Sequence, residues 1–307
     1  MRPVAASVLL SSLLVVGLCA SVFVVGLRLA APDNSVIGPA PPDLEGAENV
    51  QISSASGSLL RGWWIPSRQS VGGGVVVLMH GVHSNRLSML QRARVLRDHG
   101  FAVLLFDFEA EGESPGRHIT FGRLEALDAV AVVAFARRRM PAEKVGAIGT
   151  SLGGAAALLG PEPLPVDSLV LESVYSDIEA ALSNRLRASL GPILGSVFTP
   201  LLTPAFELLL PPVIGVAPDQ LRPIDHIGSA SAPLLIASGT NDDRTPINEA
   251  HALFDHAPTP KQFWAVKGAG HVDLEHYDSV AYWRVVMPFL SGYLQAASAG
   301  MPSSSQR

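Results

Sequence analysis

An α/β fold with a mostly parallel central sheet, flanking helices and one helical insertion is what the sequence predicts, on three observations. From about Asn49 onward, short apolar runs of β-type residues alternate with longer helical patterns, the order of stacked βαβ units. Several runs are apolar without alternation, as in strands buried on both faces. The alternation is interrupted once, between Tyr175 and Ala232, where helical pieces occur but no convincing strand. The chain of 307 residues suits one such domain plus an additional segment.

The first element is not part of that domain. No charged residue lies between Arg2 and Arg28, and Val4 to Leu27 is almost wholly apolar. At a helical rise of about 1.5 Å, roughly 24 residues reach about 36 Å, enough to cross a hydrocarbon core of about 30 Å with tilt. Residues 1–30 are therefore expected to be a single-pass membrane anchor. The alternative is a signal peptide cleaved at Leu29-Ala30-Ala31, giving a secreted protein, although such peptides usually have shorter apolar cores. Arg2 on one side, and Arg28 followed by Asp33, Asp43, Glu45 and Glu48 on the other, favour an N-terminus in the cytoplasm and a folded part outside it. The Pro-rich segment 31–48 is expected to be a semi-rigid spacer.

Residues 49–298 are expected to form the folded domain, followed by a flexible tail at 299–307. Asn49 to Ser54 and Leu59 to Pro66 read as a hairpin. Val75 to His80, after Gly72-Gly73-Gly74, reads as a buried strand. A helix over about Arg86 to Asp98 is capped near Ser84 or Asn85 and stopped by Gly100. Strand Ala102 to Phe108, helix Phe121 to Met140, strand Val145 to Thr150, a helix from Ser151 and strand Ser168 to Glu172 follow. After the insertion come strands Pro233 to Ser238 and Gln262 to Val266 around a helix at Ile247 to His256, then a last helix over about Ala281 to Ala297. The insertion, residues 176–231, reads as a helical cap. Its Leu- and Pro-rich part, Leu190 to Val216, contains five prolines and Glu207, which argue against a second membrane span. A cap over a pocket is the expectation, and an apolar lid touching the bilayer is the alternative.

Composition excludes several classes. The net charge is −5, and no basic stripe with interleaved aromatics is present, so nucleic acid is not an expected partner. The only cysteine is Cys19, which rules out an intrachain disulfide and a thiolate cluster. His271, Asp273 and His276 match no helical two-histidine metal motif, so neither a metal nor a cofactor is expected.

Gly149-Thr150-Ser151-Leu152-Gly153 stands where a strand hands over to a helix. Such a turn forces its middle residue into a strained conformation and needs glycine on both sides, which pushes the serine out at the carboxyl edge of the sheet. A small-residue packing turn is the bland alternative, but the preceding strand, the following helix and Gly154 favour a nucleophile. A serine hydroxyl needs a histidine to take its proton and a carboxylate to orient that histidine. The loop Gly239 to Pro246 offers Asp242 and Asp243. Only one can face the base, and Asp242 is expected, with Asp243 solvated or capping. Gly270-His271 follows the last strand and supplies the base, with His276 its rival. Leu152 at the helix N-terminus and Val82, beside the permissive Gly81 in His80-Gly81-Val82-His83, are the expected oxyanion donors. Glu109, Glu111 and Glu113 read as a solvated acidic turn, with a cation contact as the alternative.

With these residues in place, the chain from about Asn49 to Leu294 resembles the α/β-hydrolase superfamily, and within it the bacterial branch related to serine aminopeptidases and Bem46-like hydrolases. The resemblance rests on His80-Gly81, Phe106-Asp107-Phe108, Gly112-Glu113-Ser114, Gly149 to Gly154, Gly239 to Pro246 and Gly268 to His271. It implies the α/β-hydrolase fold and esterase, lipase, thioesterase or peptidase chemistry through an acyl-enzyme, without a cofactor. The chain departs from relatives after Asp107, with Glu109-Ala110-Glu111-Gly112 where Arg-Gly-His-Gly is usual. The expected function is that of a membrane-anchored serine hydrolase acting on a small-molecule or peptide substrate with a hydrophobic group. An acyltransferase, or a non-catalytic binding protein on the same fold, are the alternatives.

Overall fold

The computed structural model describes residues 23–68 and 73–295. Most of the expected anchor and all of the expected C-terminal tail lie outside the described residues.

Eight strands form one sheet: β1 (Glu48–Ser53), β2 (Leu59–Ile65), β3 (Val75–Met79), β4 (Ala102–Phe106), β5 (Val145–Thr150), β6 (Ser168–Glu172), β7 (Leu234–Gly239) and β8 (Lys261–Val266). Their spatial order is β8-β7-β6-β5-β3-β4-β2-β1. The β1–β2 and β2–β4 pairs are antiparallel and all the others parallel. The apolar runs explain this order. All five residues of β3, β4 and β6 are buried, because helices cover both faces of the sheet's middle. β1 alternates exposed and buried residues, as an edge strand with one wet face should.

Two buried clusters lie on the two sides of the sheet. One packs α2 (Glu125–Arg139) and α3 (Leu152–Ala156) through Ala126, Ala129, Val132, Val133 and Ala155. The other packs α1 (Leu90–Asp98) and α6 (Ser279–Leu294) through Ala93, Leu96, Tyr282, Val286 and Leu290. α5 (Ile247–His256) follows β7.

Several boundaries differ from the sequence reading for local reasons. The first helix opens as a 3₁₀ turn, Arg86–Met89, whose Asn85 side chain accepts from Leu87 N–H. α2 starts at Glu125 rather than Phe121, because Phe121 (φ 55°) and Gly122 (φ 118°) hold left-handed backbone. The Glu125 carboxylate accepts from the N–H groups of Thr120 and Gly122 just upstream.

Segment 31–48, expected as a spacer, is laid along the domain instead. Asp33–Asn34 pairs in parallel with Glu111–Gly112, Glu113 accepts from the Ile37 and Gly38 amides at 2.9 Å each, and Leu44 is buried. Just before it, residues 23–29 are helical.

The insertion is α4 (Ile178–Ile214), broken into two helices at Gly191 (φ 76°, ψ 174°), followed by short helical turns. Its second half, Ile193–Ile214, is long and apolar enough by length and a mean hydropathy of 1.6 to cross a membrane. One face of it, Phe206, Leu210, Val213 and Ile214, is buried in the domain core. The other presents Ile193, Leu194, Val197, Leu201 and Leu208 to the outside.

Candidate active site

Parallel strands deliver the site residues to one edge of the sheet. β5 ends at Thr150 and α3 starts at Leu152, so Ser151 must make the whole turn, and it does so at φ 51°, ψ −109°. A non-glycine residue there stores about 1–3 kcal/mol of strain. The neighbouring glycines make the turn possible, since a Cβ on Gly149 would lie 2.6 Å from the Gly153 backbone, and one on Gly153 would run into the Met79 carbonyl. Gly81 is different. A Cβ there would meet Ser151 Cβ and the Thr150 carbonyl at 3.7 Å, ordinary contacts, so no clash requires glycine at this position.

The loop after β7 carries Asp242, which is 5% exposed. Its carboxylate accepts from the amides of Arg244 and Thr245 at 2.9 and 2.8 Å, from the Thr245 hydroxyl at 2.8 Å and from His271 Nδ1 at 2.9 Å. Burial pushes the Asp242 carboxyl up, but the hydrogen bond and charge of His271, with the Thr245 donors, outweigh it and hold the group below the ordinary carboxylate value. An ionised Asp242 therefore fixes the proton on His271 Nδ1 and leaves Nε2 as a base. Asp243 is exposed, and so is His276, whose amide donates to Asp273.

Ser151 and His271 line the same cavity of about 200 Å³, together with Gly81, Val82 and Thr150. A second, apolar cavity beside Ser151 is walled by Leu29, Val82, Phe121, Leu152, Tyr175, Ile178 and Leu182. Ser151 Oγ makes no hydrogen bond among the described residues. The serine–histidine contact is thus open in the resting state, as catalytic hydrogen bonds often are before substrate binds. The Val82 amide likewise has no acceptor among the described residues, and the Leu152 amide, first in its helix, has none within the helix. A more voluminous cavity of about 480 Å³ opens beside Glu109 and His118 and contains none of Ser151, Asp242 or His271.

Two features were missed in the sequence. The first is Arg92, 1% exposed, which donates to Glu172 Oε2 (2.8 Å), Asp273 Oδ2 (2.9 Å) and the Tyr282 hydroxyl (3.1 Å). Glu172 also accepts from the Thr150 hydroxyl at 2.9 Å, and its carbonyl accepts from the Ser151 amide at 2.8 Å. One guanidinium thus ties the strand end before Ser151 to the loop that carries His271. The second is the acidic turn after Asp107, which is not solvated. Glu109 and Glu111 are buried, and only Glu113 keeps partial exposure while it pairs with Arg86. The turn is buried because the 31–48 segment covers it. Glu111 Oε1 accepts from the Ser84 amide at 3.2 Å, which bolts the loop that carries Val82 from behind.

His80 holds the same loop from inside. Its Nε2 accepts from the Phe108 amide (3.1 Å), so the proton sits on Nδ1, which donates to the Gly81 carbonyl (2.8 Å). Burial pulls His80 down to about 4 and keeps it neutral. Burial, aided by the charge of Glu125, pushes Glu111 up to about 9. Because the unfolded chain releases the Glu111 proton near its ordinary 4.5, the folded protein is the tighter proton binder above that pH, and stability falls as pH rises toward 9. His80 acts in the opposite sense, losing its contribution as pH falls from its ordinary 6.5 toward 4. Glu109 and Asp128, both raised mainly by burial to about 7, add to the decline at the lower end of the interval from about pH 7 to 9 and have released their protons by about pH 8 to 9, where Glu111 alone of the three still titrates. Urea unfolding between pH 7 and 9 is therefore expected to show declining stability, and a flatter profile in Glu111→Gln. An unchanged slope in that variant would remove Glu111 as the source.

The sheet order, the strained serine turn and the paired Asp242 and His271 on successive loops are those of the α/β-hydrolase fold. The family profile of serine aminopeptidase, S33, matches residues 72–208. An uncharacterised protein of Mycobacterium tuberculosis is 28% identical over 257 residues, covering 83% of this chain and 84% of that one. Human protein ABHD12B is 28% identical over 208 residues, 63% of this chain and 52% of its own. Among solved structures, the Pyrococcus furiosus esterase Pf2001 superposes with a TM-score of 0.69 at 23% identity, covering 87% of this chain and 98% of that one. An acetyl xylan esterase from Paenibacillus sp. R4 gives 0.61 at 20% identity, covering 84% and 87%.

Proposed function

We propose that this α/β hydrolase is a membrane-anchored serine hydrolase that cleaves an ester, thioester or amide bond through an acyl-enzyme. Ser151 attacks the carbonyl, and His271 Nε2 takes the hydroxyl proton and returns it to the leaving group. Asp242 holds the imidazole, and the Val82 and Leu152 amides receive the oxyanion. Water then enters by the same route and releases the acid. The observation that carries this reading is the 2.9 Å Asp242–His271 hydrogen bond beside the cavity that Ser151 enters from a strained turn.

Residues 1–30 are the anchor, 31–48 the connection, 49–298 the catalytic domain with its cap at 176–231, and 299–307 a tail, with the domain outside the cytoplasm. Support for membrane contact comes from the exposed Phe23, Val24, Val25 and Leu27, and from the outward apolar face of the cap. The apolar cavity beside Ser151 supports a hydrophobic acyl group as substrate.

A fluorophosphonate probe tests the reading. One mole per mole of protein is expected on the peptide containing Ser151, with short p-nitrophenyl esters hydrolysed at a rate abolished by the probe. Added alcohol or amine nucleophiles should divert the acyl group in proportion to their concentration, as an acyl-enzyme requires. Labelling that persists in Ser151→Ala would overturn the assignment.

A further inference from the structure

Two arginines face the chamber that holds the nucleophile. Arg185, from the first half of α4, and Arg244, from the loop that carries Asp242, both line the 200 Å³ cavity with Ser151 and His271. Both also line a cavity of about 400 Å³ further out, beside Val25, Leu186 and Phe206. Neither guanidinium has a hydrogen bond or an ion pair with a carboxylate among the described residues. Asp243 lines the outer cavity without pairing to either, and Asp273, at the inner cavity, is held by Arg92. The buried arginines are engaged, Arg86 by Asp107, Arg92 by Glu172 and Arg97 by the Pro66 carbonyl.

Arg185 is partly buried, and that burial, with the like charge of Arg244, lowers its pKa. Arg185, partly desolvated, faces the like charge of the exposed Arg244 without a counter-charge, which is unfavourable in the free protein, and an entering anion offsets the desolvation of the first and the repulsion between the two. Guanidinium groups bind carboxylates and phosphates with two parallel hydrogen bonds.

We infer that Arg185 and Arg244 form an anion subsite, and that the substrate is an ester combining an apolar acyl group with a phosphate or carboxylate on its alcohol part. This rests on the serine hydrolase reading. The division follows from the two cavities meeting at Ser151. Phe121, Leu152, Ile178 and Leu182 offer the acyl group an apolar wall, Arg185 lines both cavities where they meet, and Arg244 stands on the polar side toward His271, where the alcohol leaves. In the first step Ser151 Oγ bonds to the acyl carbon, the carbon–oxygen bond to the alcohol breaks, and His271 protonates the departing oxygen. Hydrolysis of the acyl-enzyme consumes one water and releases the acid.

Three butyryl esters of para-substituted phenols test this on the full chain, one neutral (a methyl carboxylate), one a free carboxylate and one a phosphonate. The quantity read is kcat/KM for each anionic ester divided by that for the neutral ester. Comparing this ratio between wild type and variants cancels differences in leaving-group reactivity and in the amount of folded enzyme. The ratio is expected to fall about tenfold to a hundredfold in Arg185→Gln and in Arg244→Gln, the range for a hydrogen-bonded charge. Arg185→Lys should keep more of it than Arg185→Gln does. The anion with the larger wild-type ratio identifies the group bound. A ratio equal in wild type and in both glutamine variants would overturn the subsite while leaving the hydrolase intact. If the wild type turns over none of the three and Ser151 stays unmodified by fluorophosphonate, the hydrolase reading fails and the subsite falls with it.

Discussion

Replacing Ser151 with alanine is expected to lower kcat on a short ester by about 10⁶-fold, and His271→Ala by a comparable factor, because nucleophile and base act as one unit. The double variant should be no worse than either single one, since what is left is stabilisation by the oxyanion amides and binding alone. The adjacent aspartates separate the third role. Asp242→Asn should cost about 10⁴-fold, because the amide NH2 donates to His271 Nδ1 and so favours the tautomer protonated on Nε2, which cannot take the serine proton. Asp243→Asn should stay within a few-fold, since its carboxylate is exposed and away from the imidazole. Steady-state kinetics on the four single variants, with circular dichroism to confirm folding, checks the series. Equal losses at positions 242 and 243 would sink the assignment of the acid.

The second large effect lies behind the site. Arg92→Met removes the cation shared by Glu172, Asp273 and Tyr282 and leaves the fully buried Glu172 carboxyl without its counter-charge. Breaking one partner out of a buried ion pair typically costs about 3–5 kcal/mol, and urea unfolding of the variant should show a loss of that size. A second substitution, Glu172→Gln, removes the orphaned charge and should recover part of the loss, giving a coupling that two independent sites would not show. An additive double variant would mean the network contributes little beyond its separate packing.

The sheet and its principal motifs were legible because they are written locally. Val75 to Met79 and Ala102 to Phe106 are apolar without alternation, which only a strand covered on both faces requires. Ser151 stands between glycines at a strand end, and the Asp242 and His271 loops follow later strands in the order this fold dictates. What was not legible depends on partners far away in sequence. Arg92 looks like a solvent-facing charge in an amphipathic helix, and its buried partners lie 80 to 190 residues onward. Glu109 and Glu111 look solvated because acidic turns usually are, but the cover over Glu111 comes from a Pro-rich stretch that reads as a free spacer, and Glu109 lies against Ser56 and Asp128 from distant elements. The cap's position in the chain was visible from the missing strands. Its break at Gly191 was not singled out, because glycine and proline recur throughout that stretch.

The way the chain enters the domain bears on maturation. Leu29 walls the cavity beside Ser151, its carbonyl accepts from the His83 ring at 3.0 Å, and the next residue, Ala30, is buried and accepts from the Ile119 amide at 2.9 Å. A signal peptidase cutting after Ala31 would remove that wall and both hydrogen bonds, leaving the oxyanion loop without its outer support. Trimming at this boundary would therefore release an altered enzyme with an opened acyl chamber. The end of the N-terminal apolar segment thus belongs to the wall around Ser151.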